Sequence, residues 1–190
     1  LRKPRSLPTR IGITGSPGTG KKSVGGELAK ISGMDLLLIN NFLIENKLGV
    51  WRGEEYCIDL RRARGKIDTR GKVVCGHLLP YLVSSSKLDF VAVLRCSPKV
   101  LKGRYLVRNY SPKKITENLE AEMIGVTAEK AISVYGKKKV GEFDTTRTKD
   151  PRTVAKRIFE TIIGSRPSSL GKLDWLSRQS PHSLRESLHD

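Results

Sequence analysis

GSPGTGKKSVG, residues 15–25, is the stretch on which the reading of this chain turns. It follows the short apolar run Ile11, Gly12, Ile13, Thr14 and precedes a helical pattern, Glu27, Leu28, Ala29, Lys30, Ile31. Strand, glycine loop and helix in that order are the setting of a phosphate-binding loop, G-x-x-x-x-G-K-[ST]. Gly15, Gly18 and Gly20 leave the backbone free to turn with positive φ and let amides approach an anion closely. The helix behind them aims its free N–H groups and its positive dipole end at the same place. Lys21 then reaches the β- and γ-phosphates of a nucleotide. The motif asks for a hydroxyl after the lysine, to bind Mg²⁺, and this chain has Lys22. Ser23 is the next hydroxyl and the candidate metal contact, but it lies roughly 100° further round the helix and is not a simple replacement. Two outcomes stay open. Lys22 swings outward and leaves Mg²⁺ to phosphates, waters and one acid, or its ammonium neutralises phosphate charge where the metal would sit. Weaker metal dependence or slower turnover is expected either way, since losing even outer support of a metal costs ~10–100-fold.

Outward from the loop, the chain alternates strands and helices. Strands are expected at 9–14, at 35–39 (an apolar run suited to burial on both faces), at 72–75, at 90–94 and at 140–145. Helices are expected at 21–32 with a stop at Gly33, at 42–47, 59–65, 77–84 and 99–108, at 115–135 as one long helix, and at 153–163 behind Pro151. Residues 109–112 read as a turn. This is an α/β fold with a parallel five-stranded sheet flanked by helices. Ligands in such folds bind beyond the carboxyl ends of the strands, where the glycine loop, Asn40, Cys75 to His77 and Arg95 would lie. A basic arm is expected at 1–9, the domain proper at 10–164, and a docking segment around 173–176 with a disordered tail within 165–190.

The 190 residues suit one domain with a full core. No apolar run approaches the ~18 residues that span a membrane. Residues 1–10 are basic and contain Pro, unlike a signal peptide, and the opening Leu1 leaves an upstream start open. Cys57, Cys75 and Cys96 have no metal-like spacing and read as thiols of a reducing, cytoplasmic setting. The net charge of +17 is unevenly placed. Arg61, Arg62, Arg64, Lys66, Arg70 and Lys72 face only Asp68, and residues 99–114 hold six basic groups and no acid. One nucleotide does not need so much positive charge, so the surplus points to a polyanion, RNA foremost.

Two further stretches carry a family resemblance. Cys75-Gly76-His77 follows a strand. Arg104-Tyr-Leu-Val-Arg108-Asn-Tyr110-Ser-Pro-Lys113-Lys114-Ile-Thr-Glu117-Asn118-Leu-Glu120-Ala-Glu122 follows the clearest strand and helix. With the phosphate loop, and with Leu173-Asp174-Trp175-Leu176 near the end, they resemble the adenylate kinase 6 family over residues 10–163. The resemblance implies a nucleoside monophosphate kinase fold with an NMP-binding insertion, about 40–64, and a small LID, about 108–118. It implies conversion of ATP and AMP, or another nucleoside monophosphate, to two ADP, with ATP hydrolysis alongside. It implies a monomer acting in small-subunit maturation, with ribosomal protein uS11 and small-subunit rRNA or pre-rRNA as partners. ATP contacts carry over to Gly18, Gly20, Lys21, Lys22, Ser23 and Arg108. Two departures bear on catalysis: family members often carry Asp where this chain has Cys75, and the segment Trp51 to Tyr56 is shorter and less acidic.

The remaining roles follow from charge. Phosphoryl transfer needs positioning and neutralisation of spreading negative charge. Arg108 is the best clamp, because a guanidinium fork matches phosphate oxygens, with Arg104 one turn earlier as its assistant or as a structural group. His77, ending a strand beside the phosphate loop, positions the attacking water or senses the γ-phosphate, or else starts a helix with a bond to backbone. Asp59 is a cap or an NMP contact, Trp51 stacks on a base or packs under the insertion, and Trp175 docks. Three functions fit: a kinase with ATPase activity, an ATP-gated assembly factor whose chemistry is a release switch, and a nucleotide-binding protein without catalysis.

Overall fold

The computed structural model describes residues 9–53, 55–148, 150–164, 170, 171 and 173–175. The expected basic arm and the end of the tail lie outside them, apart from Thr9. Five parallel strands form the main sheet: β1 (Arg10–Gly15), β2 (Asp35–Leu38), β5 (Lys72–Cys75), β6 (Phe90–Arg95) and β7 (Val140–Asp144), in the order β2-β5-β1-β6-β7. β1 is central and pairs with β5 (Ile13 with Cys75) and β6 (Gly15 with Leu94). The chain therefore leaves β1 in both directions across the sheet, and a crevice opens at the carboxyl end of β1.

Alternation along β1 builds both layers. Ile11 and Ile13 face α1 (Lys21–Ser32) and α8 (Pro151–Ile162), joining Leu28, Val154 and Ile158 in one core. Each such side chain contributes ~1.5–3 kcal/mol by burial. On the opposite face, Gly12 has no room for a side chain: a Cβ would stand 2.6 Å from Leu79 Cδ2. That face carries α4 (Leu79–Leu82) and α7 (Val126–Tyr135), and Tyr135 Oη bonds the carbonyls of Leu79 and Val83. The amphipathic α8 buries Val154, Ala155, Ile158 and Ile162, the one-sided spacing of a surface helix.

Several expectations need correcting. β2 is an edge strand, with Leu36 37% exposed rather than buried on both faces, and it ends at Leu38 where α2 (Ile39–Glu45) begins. Residues 49–58, where no element was expected, form an antiparallel hairpin, β3 (Gly49–Arg52) with β4 (Glu55–Ile58). Gly49 is required there, because a Cβ would press on the Cys57 carbonyl. The helix expected at 59–65 shortens to α3 (Leu60–Ala63), and Asp59 caps it by accepting from the amides of Arg61 and Arg62. The helix expected at 77–84 reduces to α4 and a 3-10 turn, Ser85–Lys87. α5 (Pro98–Val107) precedes the expected turn. The long helix expected at 115–135 is two: α6 (Pro112–Met123) and α7, broken at Gly125 with φ +73°. No helix among the described residues is long and apolar enough to cross a membrane.

Candidate phosphate-binding cleft

The glycine loop leaves β1 at Gly15, φ +145°, where a Cβ would collide with the Leu94 carbonyl of β6. Gly18, φ +78°, lies on Tyr105 and Leu101 of α5, and Gly20, φ +90°, starts α1 with open space where a side chain would be. The loop is closed on itself by Thr19 Oγ1 on the Ser16 carbonyl (2.9 Å). Lys21 folds back, its Nζ donating to the carbonyls of Gly15 (2.9 Å) and Ser16 (2.8 Å). Burial, assisted by Arg108, pulls its pKa down to about 8, against the attraction of Cys75 and Glu122. Lys21 is thus a cation held at the loop mouth by two neutral acceptors that a phosphate can displace.

α5 buttresses the loop from behind. Arg104 Nη1 donates to the Gly18 carbonyl (2.7 Å) and Tyr105 Oη to the Pro17 carbonyl (2.8 Å). Arg104 therefore supports the loop backbone here, while exposed Arg108, at the end of α5, faces the open space beyond. Tyr105 and Tyr110 stack at 5.3 Å, and Lys114 Nζ lies over the Tyr110 ring. Lys22 and Ser23 are exposed on the first turn of α1. His77 reaches the cleft because Gly76 packs against Ile39, which a Cβ would strike at 2.7 Å. Burial and Lys21 lower its pKa, so the imidazole is neutral at physiological pH. Cys75 is sealed under α1, and burial pushes its thiol up to about 12.

These groups surround a cleft of about 760 Å³. Five cations line it, Lys21, Lys22, Arg108, Lys114 and Lys130, with no carboxylate among the lining residues. Such a low-dielectric, single-sign wall concentrates anions. The hairpin and α6 approach each other at one edge, where Lys114 Nζ stands 3.6 Å from Glu55 Oε1. An exposed pair of this kind is worth ~0–1 kcal/mol, so that edge is loosely held. A side lobe of about 220 Å³ shares Gly18, Gly20, Ser23 and Arg108 with the loop and is walled by Thr145, Thr148, Pro151 and Val154. Tyr81, Lys130 and Thr145 were not singled out in the sequence, and Pro151 was read only as a helix start, because only tertiary packing brings them to the site. Trp51 stands apart from the cleft lining, edge-on to Tyr56 and 61% exposed.

A family model described as AAA domain matches residues 11–125. Proteins named "Putative adenylate kinase" from Thermococcus gammatolerans and Thermococcus kodakarensis are 34% and 35% identical to the chain. Each match covers 87% of this chain and 92% of the relative. The chain belongs to the archaeal adenylate kinase 6 family. Among solved structures, shikimate kinase from Acinetobacter baumannii in complex with shikimate superposes with a TM-score of 0.58 at 15% identity, covering 86% of this chain and 97% of that one. Shikimate kinase from Bacteroides thetaiotaomicron gives 0.56 at 18%, covering 82% and 98%. At these identities the likeness establishes the phosphate-loop NTPase fold and nothing about substrate. In this adenylate kinase 6 family member, the matched 11–125 run from β1 through the loop to the break between α6 and α7.

The cleft's chemistry suits phosphates better than a protein-held metal. Among the described residues, no group of three or more His, Cys, Asp or Glu side chains could hold an ion. The Cys75 thiol is neutral and Lys22 brings a positive charge to the motif's hydroxyl position. Ser23, the next hydroxyl in the chain, stands one residue further along α1 and is exposed.

A buried carboxylate cluster, not read as a unit in the sequence, lies directly behind the loop. Glu122, 1% exposed at the end of α6, accepts from Ser16 Oγ (2.5 Å) and Arg95 Nε (2.7 Å). Arg95 also donates to Glu142 Oε1 of β7 (2.7 Å). Burial lowers the Arg95 pKa, but Glu122 and Glu142 together outweigh it and raise the value. Removing one partner of such a pair costs ~3–5 kcal/mol, because the other charge stays buried.

Proposed function

We propose that the chain is a nucleoside monophosphate kinase that moves the γ-phosphoryl group of ATP to AMP or a related monophosphate, with slow ATP hydrolysis beside it. The observation that carries this reading is the phosphate-loop cleft lined by five cations and no carboxylate. Its volume of about 760 Å³ lies within the range of ligand pockets. The relatives' printed name, adenylate kinase, supports the same activity.

Each side chain has a part in this reading. Loop amides and Lys21 hold the β- and γ-phosphates, with Lys21 exchanging two backbone carbonyls for phosphate oxygens. The donor base occupies the lobe beside Thr145 and Pro151, and the acceptor lies toward Asn40, Tyr81 and Lys130. Arg108, between the two spaces, meets the charge that spreads over the transferring group. Neutral His77 orients the acceptor oxygen or a water. Arg104 and Tyr105 act through the loop by fixing its carbonyls. Mg²⁺, when bound, supplies charge neutralisation on the phosphates.

A second reading, an ATP-gated assembly factor, is favoured by one observation. A groove of about 350 Å³ adjoins the cleft through Pro80, Tyr81 and Lys130 and is rimmed by Arg64 and Lys87. Basic groups around an exposed aromatic suit single-stranded RNA, and the net charge of +17 suits it further. Small-subunit rRNA and ribosomal protein uS11 are the partners this reading proposes. The test is ADP formed from ATP with and without AMP across a Mg²⁺ titration. Two ADP per AMP consumed supports the kinase. The same slow ADP release without AMP overturns it in favour of the switch, whose RNA affinity should then fall ~10³–10⁵-fold between 50 and 200 mM salt for 6–10 phosphate contacts.

A further inference from the structure

The two oxygens of Glu122 point in different directions. Oε2 takes the hydroxyl of Ser16, the loop residue whose carbonyl also holds Lys21 and Thr19. Oε1 takes Arg95 Nε, the Cys96 amide (3.1 Å) and Trp175 Nε1 (3.2 Å). Trp175 is 5% exposed, and Gly171 of the same segment donates its amide to Glu142 Oε2 (2.6 Å). The segment therefore sits on both carboxylates that flank Arg95. Gly125, φ +73°, turns the chain beside Arg95 directly after the helix that carries Glu122. Ser16 and Trp175 are far apart in the chain, yet one carboxylate joins them.

We propose that Glu122 is a positioning residue for the phosphate loop, and that the stretch carrying Gly171 and Trp175 is a latch whose seating is coupled to nucleotide binding. This rests on the reading of the loop as a nucleotide site. A phosphate that takes Lys21 from the Ser16 and Gly15 carbonyls changes what Ser16 is bonded to. Ser16 is tied to Glu122, so the change reaches the carboxylate that Trp175 grips. In a buried network each lost partner is costly, and the groups move together. Coupling of this kind is reciprocal: nucleotide alters the surroundings of Trp175, and loosening Trp175 alters nucleotide affinity by the same factor. A partner that draws the segment away would thereby reset the loop.

The chain has two tryptophans, so Trp51→Phe leaves Trp175 as the sole indole. ATP is titrated into that full-length variant with Trp175 emission followed, and binding is measured independently by calorimetry. The expected result is an emission shift that saturates with binding. Trp175→Phe keeps the ring but loses the N–H donor, and should change the calorimetric Kd by about fivefold or more. Glu122→Gln, or Ser16→Ala should the first fail to fold, should bind ATP with an altered calorimetric Kd and lose the emission shift at saturating ATP; a full shift at saturation overturns the latch. Calorimetric binding with no emission shift in Trp51→Phe overturns the latch and leaves the nucleotide site standing. A Kd unchanged within about twofold in Trp175→Phe overturns it equally. Absence of calorimetric binding in Trp51→Phe and the unmodified chain overturns the nucleotide reading itself, and the latch with it.

Discussion

ATP affinity should weaken steeply between pH 7 and pH 9, and Lys21 is the reason. An ordinary lysine titrates near 10.4 and would not notice that range. Lys21 is pulled down to about 8, chiefly by burial at the loop mouth. Its ammonium makes two hydrogen bonds to neutral carbonyls, which do not balance the charge. At pH 7 roughly nine-tenths of free protein carries the charged lysine, and at pH 9 roughly one-tenth. If only the charged form grips phosphate, Kd rises roughly tenfold across the interval, ~1.4 kcal/mol. The sign is fixed by linkage: bound phosphate raises the lysine pKa, so binding takes up a proton, most strongly between pH 8 and 9. Calorimetry at pH 7, 8 and 9 in buffers of different ionisation enthalpy reads both the Kd and the proton count. Cys75, pushed up to about 12, stays neutral throughout and adds no slope. Lys21→Arg keeps a charge that does not titrate and should flatten the profile. Equal wild-type Kd at pH 7 and 9, or the same slope in Lys21→Arg, would refute the reasoning.

Lys22→Thr restores the missing hydroxyl and should lower the Mg²⁺ concentration for half-maximal ADP formation by ~10–100-fold; an unchanged midpoint means Lys22 does not displace the metal. Gly25→Ala drives a methyl into Cys75 Sγ and should cost ~1–3 kcal/mol by overpacking. That is a thermal midpoint lower by roughly 2–12 °C, given ~2–4 °C per kcal/mol at this size. Adding Cys75→Ala should recover most of the loss. Arg108→Ala should lower kcat by ~10²–10³ with little change in melting. Arg104→Ala loses its bond to the Gly18 carbonyl, so it should lower the melting midpoint and weaken ATP binding. Parallel kcat and melting measurements that reverse these two profiles would exchange the two arginines' roles.

The sheet and loop are legible in the sequence because each rests on short-range pattern. Five apolar runs separated by helical periods leave few arrangements for a parallel sheet. The glycine spacing with Lys21 has a strand before it and a helix behind it. Legibility ends where geometry depends on contacts. The β3–β4 hairpin has four-residue strands with Trp51 and Val50 largely exposed, so no buried face imposes a readable alternation. Gly125 looks like a tolerated glycine in a helix of 3.6 period, and its left-handed φ, which breaks the helix beside Arg95, shows only in the fold. β2 reads as central from Leu36, Leu37 and Leu38, but among the described residues no strand pairs on its outer side.

The same limit applies more sharply to Glu122. Its place in the run that follows Arg104 is visible, but its chemistry is not, since a helix-end glutamate is most often solvated. Only the fold brings Ser16, Arg95, Glu142 and Trp175 to it. A buried pair of this kind is weak evidence for stability, because desolvating the ions offsets much of their attraction. An apolar cluster of equal volume would hold the helix and strands at least as well. It could not hold the Ser16 hydroxyl in one orientation, nor register whether the Trp175 indole is seated. Directional bonds to a loop residue and to a distant segment are what a carboxylate supplies and a leucine does not. The cluster's presence behind the phosphate loop is therefore better accounted for by control of loop geometry than by stability.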